Sequence, residues 1–315
     1  MLDNTATIED AFARDVLEGL ALEQKAIPSR WLYDERGSEL FEQITDLPEY
    51  YLTRTETAIL KDKAGEIARA AGAGATLVEY GAGASVKTRL LIDAFEDLRA
   101  YVPIDLSAEF LEQSAAALSD ENPGLDVVPI VADFLGPIDL DKAPIEAGGA
   151  VGFFPGSTIG NLNDDEIATF LRRAREDLGE GARFVLGADL RKDPAVLIDA
   201  YDDAAGVTAA FNLNLLERIN RELGGDFDIA RYSHEARWNE PQSRIEMHIV
   251  SEDFQTATVR DEAFKFARRE TIHTENSRKF SIDDVAALGE RSGWALTDRW
   301  TDEDDLFAVL MLRAA

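Results

Sequence analysis

Between residues 75 and 190, apolar positions arrive in short β-rich runs separated by longer stretches with helical spacing. The runs are ATLVEYGAG (75–83), LRAYVPIDL (98–106), LDVVPIVADF (125–134), GAVGFFPG (149–156) and ARFVLGADL (182–190). Helix-like stretches such as KTRLLIDAFEDL (87–98) and DDEIATFLRRAREDL (164–178) lie between them. Apolar strands alternating with helices predict an α/β fold, a parallel sheet buried on both faces. The stretch WALTDRWTDEDDLFAVLML (294–312) offers two further strands around an acidic connection. Residues 1–55 break the rhythm: they read as helical and aromatic, without a strand of their own. Residues 195–280 also break it, with a long helical stretch and a hairpin, EARWNEPQSRIEMHIV (235–250), turning at Asn-Glu-Pro. The expected division is a sheet domain over 54–192 and 281–315, and an inserted lobe over 1–53 and 193–280. Ligands of open α/β sheets bind beyond the carboxyl ends of the strands, where such a lobe is expected to close.

Residues 153–163, FFPGSTIGNLN, run from an apolar strand straight into proline, glycines, hydroxyls and asparagine. Small residues at a strand's end let a ligand approach the backbone. An ordinary strand-to-helix loop with Asn161 in an Asx turn has the same composition.

The first strand ends in VEYGAGASVKT (78–88), a GxG that opens a helix. Bare glycine backbone there suits a nucleotide-type cofactor. The dinucleotide fingerprint asks for a third small residue, and Val86 stands in its place, which counts against NAD. S-adenosylmethionine carries a sulfonium cation and no phosphate, so an acidic loop with Glu79 beside it is apt. Asp105 ends the second strand about twenty residues later, where a carboxylate takes ribose hydroxyls. Asp133 and Phe134 end the third and offer a carboxylate and an aromatic face to an adenine.

Charge and composition narrow the partners. With 32 Lys and Arg against 61 Asp and Glu, the net charge of −29 repels phosphate backbones and anionic lipid. No apolar run approaches a membrane span, and the N-terminus lacks a signal-peptide core. The absence of cysteine excludes disulfides and thiolate metal sites and favours a cytoplasmic location. Three histidines, at 234, 248 and 273, look too scattered for a metal cluster, so no metal is expected. Without exposed heptads or a sticky edge, a monomer is expected.

Taken along its whole length, the chain resembles the histidine-specific methyltransferases of ergothioneine biosynthesis. The resemblance is carried by WLYDERGSELFEQITDLPEYYLTRTE (31–56), VEYGAGASVKTR (78–89), FFPGSTIGNL (153–162), AYDDAAGVTAAFNLN (200–214), RIEMHIV (244–250) and TENSRKFS (274–281). It implies a Rossmann-like methyltransferase sheet with a second, substrate-binding lobe. The implied reaction is transfer of three methyl groups from S-adenosylmethionine to the α-amino nitrogen of L-histidine, giving the betaine hercynine. The cofactor residues implied are Gly81, Lys87, Asp105, Asp133 and Phe134. The histidine residues implied are Tyr33, Tyr50, Gly156, Asn161, Tyr201, Met247, Glu275 and Ser277, with Tyr33 nearest the reacting amine. One departure is YGAGAS, where the family more often carries leucine and serine, but both glycines are kept.

Methyl transfer needs an amine lone pair in line with the methyl carbon, so positioning carries most of the catalysis. Recognition of imidazole needs paired polar groups, and Glu275 and Ser277, two apart on an extended segment, are suited to it. A sister enzyme acting on another amino acid such as tryptophan is the alternative; Glu275 and Met247 argue against it, since an indole ring offers no lone pair for a polar grip of that kind. A non-catalytic cofactor-binding sensor is a further reading. SIDD (281–284) reads as a helix N-cap.

Overall fold

The computed structural model describes residues 4–83, 86–140, 143–146 and 149–315. Ala84 and Ser85 of the glycine loop lie outside the described residues. The chain divides into two compact units, Met1–Tyr51 with Lys192–Arg278, and Leu52–Arg191 with Lys279–Ala315.

The second unit is built on the apolar runs. Its parallel strands are Thr76–Tyr80, Ala100–Asp105, Asp126–Val127 with Ile130–Val131, Ala150–Phe154 and Arg183–Asp189. Phe307–Ala314 pairs antiparallel with the last of these, and Trp294–Thr301 pairs antiparallel with it in turn. Taken from one edge, the strands run 294–301, 307–314, 183–189, 150–154, 76–80, 100–105 and 126–127. The order reverses between 76–80 and 150–154, which places the switch point, and hence the expected crevice, at the carboxyl ends of those two strands.

The strands 76–80 and 150–154 are buried at every position, as a sheet covered on both faces requires. Tyr80 and Phe154 gather on one side: Tyr80 meets Phe170 edge-on at 5.2 Å, and Phe154 lies 4.8 Å from Phe170. Phe170 comes from the helix Asp164–Leu178, whose N-terminus is closed by a capping box between Asn163 and Glu166. The third run is less regular than its sequence suggests. It makes only two short pairings on either side of Pro129, because proline supplies no N–H to the ladder and this strand is an edge.

The first unit holds a four-stranded sheet in the order Lys25–Ala26, Thr271–Arg278, Arg244–Ser251, Tyr232–Asn239. The hairpin expected at Asn-Glu-Pro is present, with a short 3-10 turn over Glu240–Gln242. The two-residue strand Lys25–Ala26 is a difference from the sequence reading; two residues carry no periodicity, and the strand exists because it pairs with Ile272 and His273. Helices Glu35–Thr45, Pro194–Tyr201 and Val207–Leu223 belong to the same unit. Asp34 ties two of them together. Its carboxylate caps Glu35–Thr45 by accepting the Gly37 N–H at 2.8 Å, and it also accepts Asn214 Nδ2 at 2.7 Å.

Candidate functional site

In the sheet unit, Gly81 turns out of the first strand with a φ of +74°, a left-handed conformation that glycine adopts without strain. The Gly81 and Ala82 N–H groups both donate to Ile104 O, at 2.9 and 3.0 Å, which fastens the loop to the second strand. Among the described residues, a side chain added at Gly83 would meet nothing within 4 Å. Asp105 ends the second strand and accepts the Ser107 N–H at 2.9 Å. Burial raises its carboxyl above the ordinary range, with the Ser107 and Leu106 N–H groups opposing. Phe134 stands 3.7 Å from where a Gly81 Cβ would be, and it packs edge-on against Phe154 at 5.2 Å. Its ring is therefore shared between the loop and the core. Asp133 lies beyond the end of the third strand, in a turn, where it accepts the Leu135 N–H at 2.9 Å.

A carboxylate beside a bare glycine turn and an aromatic ring is a donor set that fits the ribose and adenine of S-adenosylmethionine. Glu79 does not belong to it. The residue is 2% exposed, and its carboxylate accepts Thr88 Oγ1 at 2.8 and 2.7 Å and the Tyr101 hydroxyl. Burial, partly offset by those hydroxyls, raises its pKa to about 7. The expectation of an acidic loop beside the sulfonium is thus corrected: Glu79 belongs to a strand buried at every position, and hydroxyls from the neighbouring helix and strand enclose its carboxylate.

The 153–163 stretch makes a tight turn. Gly156 has φ +77°, and Ser157, a non-glycine residue, follows at +57°. Ser157 is locked there by its hydroxyl, which accepts the Asp189 N–H at 2.9 Å. Lys87 Nζ lies 3.7 Å from where a Gly156 Cβ would be, and it pairs with Glu56 at 2.5 Å. Asn161 ends a 3-10 turn over Thr158–Asn161.

In the other unit, Tyr33, Tyr50, Tyr201, Met247, Glu275 and Ser277 come together. The Tyr33 hydroxyl donates to Glu275 Oε1 at 3.4 Å, and the Tyr201 and Ser277 hydroxyls are 2.6 Å apart. The Tyr50 and Tyr201 rings are 6.0 Å apart. Met247 faces Glu275 across the ladder and is 1% exposed. Tyr33 keeps 37% of its surface exposed, yet surrounding protein and the Glu275 charge hold its phenol well above the usual tyrosine range. The phenol is accordingly neutral near pH 7.

The strand Thr271–Arg278 explains why Glu275 and Ser277 point together. A register shift between His273 and Glu275 inserts one extra residue against the partner strand. Strict alternation would put 273, 275 and 277 on one face. The bulge instead leaves His273 opposite His248 and turns Glu275 and Ser277 to the face of Met247.

Several residues escaped the sequence reading. Phe41 and Phe211 flank Tyr33 edge-on, with ring centroids at 5.5 and 5.3 Å. Both lay inside stretches that carried the resemblance, but a lone phenylalanine in a helix reads as core. Behind them runs a buried chain: His234 bridges the Tyr201 carbonyl (2.7 Å) and Asn212 (2.9 Å), and Asn212 accepts Thr274 Oγ1 at 2.6 Å. Burial lowers the His234 pKa, so this bridge is neutral. The histidines are also less scattered than the sequence suggests. Cross-strand pairing stacks the His248 and His273 rings 4.9 Å apart, with Glu246 3.2 Å from His248 Nε2. Arg244 and Asn239 also donate to Glu246 and occupy that carboxylate.

Comparison with known proteins gives the family and the fold. The family described as "Histidine-specific methyltransferase, SAM-dependent" matches residues 12–314. The histidine N-alpha-methyltransferase of Mycolicibacterium smegmatis is 45% identical over 298 residues, covering 93% of this chain and 92% of that protein. That of Mycobacterium tuberculosis is 43% identical over 305 residues, covering 95% and 94%. Among solved structures, an O-methyltransferase of neocarzinostatin biosynthesis, in complex with S-adenosylmethionine and a naphthoic acid, aligns with a TM-score of 0.50 at 15% identity. It covers 98% of this chain and 70% of that one. A methyltransferase structure from Thermobifida fusca aligns with a TM-score of 0.50 at 13% identity, covering 94% and 97%. These two likenesses bear on the fold, which is that of Rossmann-like methyltransferases.

Proposed function

The chain belongs to the SAM-dependent, histidine-specific methyltransferase family, and from that premise we propose that it trimethylates the α-amino nitrogen of L-histidine to hercynine. The observation that carries the substrate assignment is the Tyr33–Glu275 and Tyr201–Ser277 pair of hydrogen bonds within one aromatic-walled group of residues. S-adenosylmethionine, held by Gly81, Lys87, Asp105, Asp133 and Phe134, supplies an electrophilic methyl on a sulfonium. Glu275 accepts the imidazole N–H, with Ser277 beside it and Met247 filling the space behind the ring. Tyr50 and Tyr201 line the same group, and Gly156 and Asn161 contact the amino-acid zwitterion. Tyr33, held neutral, orients the amine by hydrogen bonding and is not an anionic base. The faces of Tyr33, Phe41 and Phe211 suit a nitrogen that becomes a permanent cation after the third transfer. Among the described residues no helix is long and apolar enough to cross a membrane. A cytoplasmic monomer acting on a small molecule, without nucleic-acid or membrane partners, is the accompanying reading.

The test is methyl-labelled cofactor offered with each of the twenty amino acids. Histidine should take up label, to three methyl groups; a preference for tryptophan or any other acceptor overturns the assignment. Glu275→Ala should lower kcat/KM for histidine on the order of 10²-fold, about 3 kcal/mol, by stranding a buried ring donor. Its cofactor affinity should stay within a factor of about two.

A further inference from the structure

Glu56 lies in the helix Tyr51–Ala71 and is fully buried, at 0% exposure. Such a carboxylate is tolerated only when paired and hydrogen-bonded. Three other segments close around it. From the helix that follows the glycine loop, Lys87 Nζ reaches its Oε2 at 2.5 Å. From the turn after the fourth strand, the Gly156 N–H donates to it, 2.9 Å from Oε2 and 3.1 Å from Oε1. In the fifth strand, Gly187 is bare where Glu56 packs: a Cβ there would sit 2.1 Å from Oε1. Lys87 and Gly156 thus meet on one buried carboxylate at the ends of strands flanking the switch point.

We infer that Glu56 is a positioning residue for methyl transfer, fixing the Lys87 ammonium and the Gly156 backbone and acting on the cofactor through Lys87. This rests on the assignment of Lys87 to the cofactor under Proposed function. An ammonium carries three N–H donors. Glu56 takes one and sets the direction of the others, which are then aimed at a second acceptor such as the carboxylate of the cofactor's amino-acid end. The same carboxylate fixes the Gly156 amide, so the loop and the turn cannot shift independently.

Glu56→Gln keeps an acceptor oxygen for the Gly156 N–H and removes the charge that holds Lys87. Three variants, Glu56→Gln, Lys87→Met and the double, are compared by calorimetric S-adenosylmethionine Kd, by steady-state kinetics and by thermal melting without cofactor. Glu56→Gln should weaken cofactor binding about tenfold and lower kcat, while the histidine KM stays within a factor of about two. In the Lys87→Met background the same change should alter the cofactor Kd by less than about twofold, because a residue acting through Lys87 has nothing left to act on. Should Glu56→Gln fail to fold, the double variant, which removes both charges of the pair together, gives that comparison alone. A Glu56→Gln protein that melts lower yet binds cofactor with the parental Kd, or effects that multiply in the double variant, overturns the inference. A Lys87→Met protein with parental Kd overturns the cofactor assignment of Lys87, and this inference with it.

Discussion

A glutamate within an otherwise apolar strand, Glu79, reads as a ligand in the sequence and is an interior group in the fold. Its carboxyl titrates at about 7, against 4.5 for the unperturbed group, mainly because burial disfavours the charge. The folded state therefore holds this proton more tightly than the unfolded chain does. The resulting stability is fully present below about pH 4.5 and is lost as the pH rises through 7, a loss of roughly 3 kcal/mol. Glu79→Gln, which can still accept the Thr88 and Tyr101 hydroxyls, should remove that dependence. Urea unfolding at pH 5 and pH 8 checks it: the parent should lose more stability between the two than the variant does. Equal losses would mean that Glu79 is charged in the native state at little cost. Glu275 teaches the converse. By composition it is an ordinary loop charge, and its burial to 8% exposure comes from the strands and aromatic rings around it.

At the scale of elements, local rules account for most starts and stops. The SIDD cap forms as expected, with Ser281 and Asp284 exchanging hydrogen bonds with each other's backbone. Asn163 does the same for the helix Asp164–Leu178, accepting the Asp165 and Glu166 N–H groups at 3.0 Å. This helix brings Phe170 against Tyr80 and Phe154, so its registration matters to the sheet beneath it. Asn163→Ala should cost about 1 kcal/mol in urea or thermal unfolding and leave cofactor affinity unchanged, since the cap lies outside the proposed site. A large loss of cofactor binding would show that the helix start is coupled to the neighbouring 158–161 turn. Where local rules fail, pairing is the reason. Pro129 splits a run that looks continuous, and Lys25–Ala26 becomes a strand only through its partner.

For the whole molecule, the decisive feature is how the chain leaves the sheet unit after Arg191 and returns at Lys279. The two ends are held together within that unit. The Phe280 N–H donates to Asp189 O at 2.9 Å, Arg191 N–H donates back to Phe280 O at 3.0 Å, and Lys279 Nζ pairs with Asp189 at 2.7 Å. Both charges of that pair are 0% exposed. Removing one partner of a buried pair leaves the other unpaired and typically costs 3–5 kcal/mol. Lys279→Met should therefore destabilise by about that amount in urea unfolding, and adding Asp189→Asn should restore part of it. A change below ~1 kcal/mol would mean that water reaches Asp189 in the variant. The net charge of −29 sets a background of self-repulsion that added salt screens, so all three proteins are compared at one ionic strength.

How far the sequence alone reaches follows from which interactions are local. Strand and helix periods, the glycine turn and the caps depend on neighbours within a few residues, so the order of elements and the parallel sheet were legible. The residues of the two candidate ligand groups were legible too, through long stretches resembling one family. What pairs with what was not legible. Glu79 and Asp105 are both acids at the end of an apolar run, and only the packed sheet buries one in hydroxyls and leaves the other beside a glycine turn. The bulge at 273–275 exists only against the partner strand, and it alone sends Glu275 to the face of Met247 while His273 meets His248. Glu56 and Lys87 are separated by 31 positions, and Glu56 and Gly156 by 100. No pattern along the chain announces a carboxylate shared between them, because the low-dielectric interior that makes such pairing obligatory forms only when the sheet closes around it.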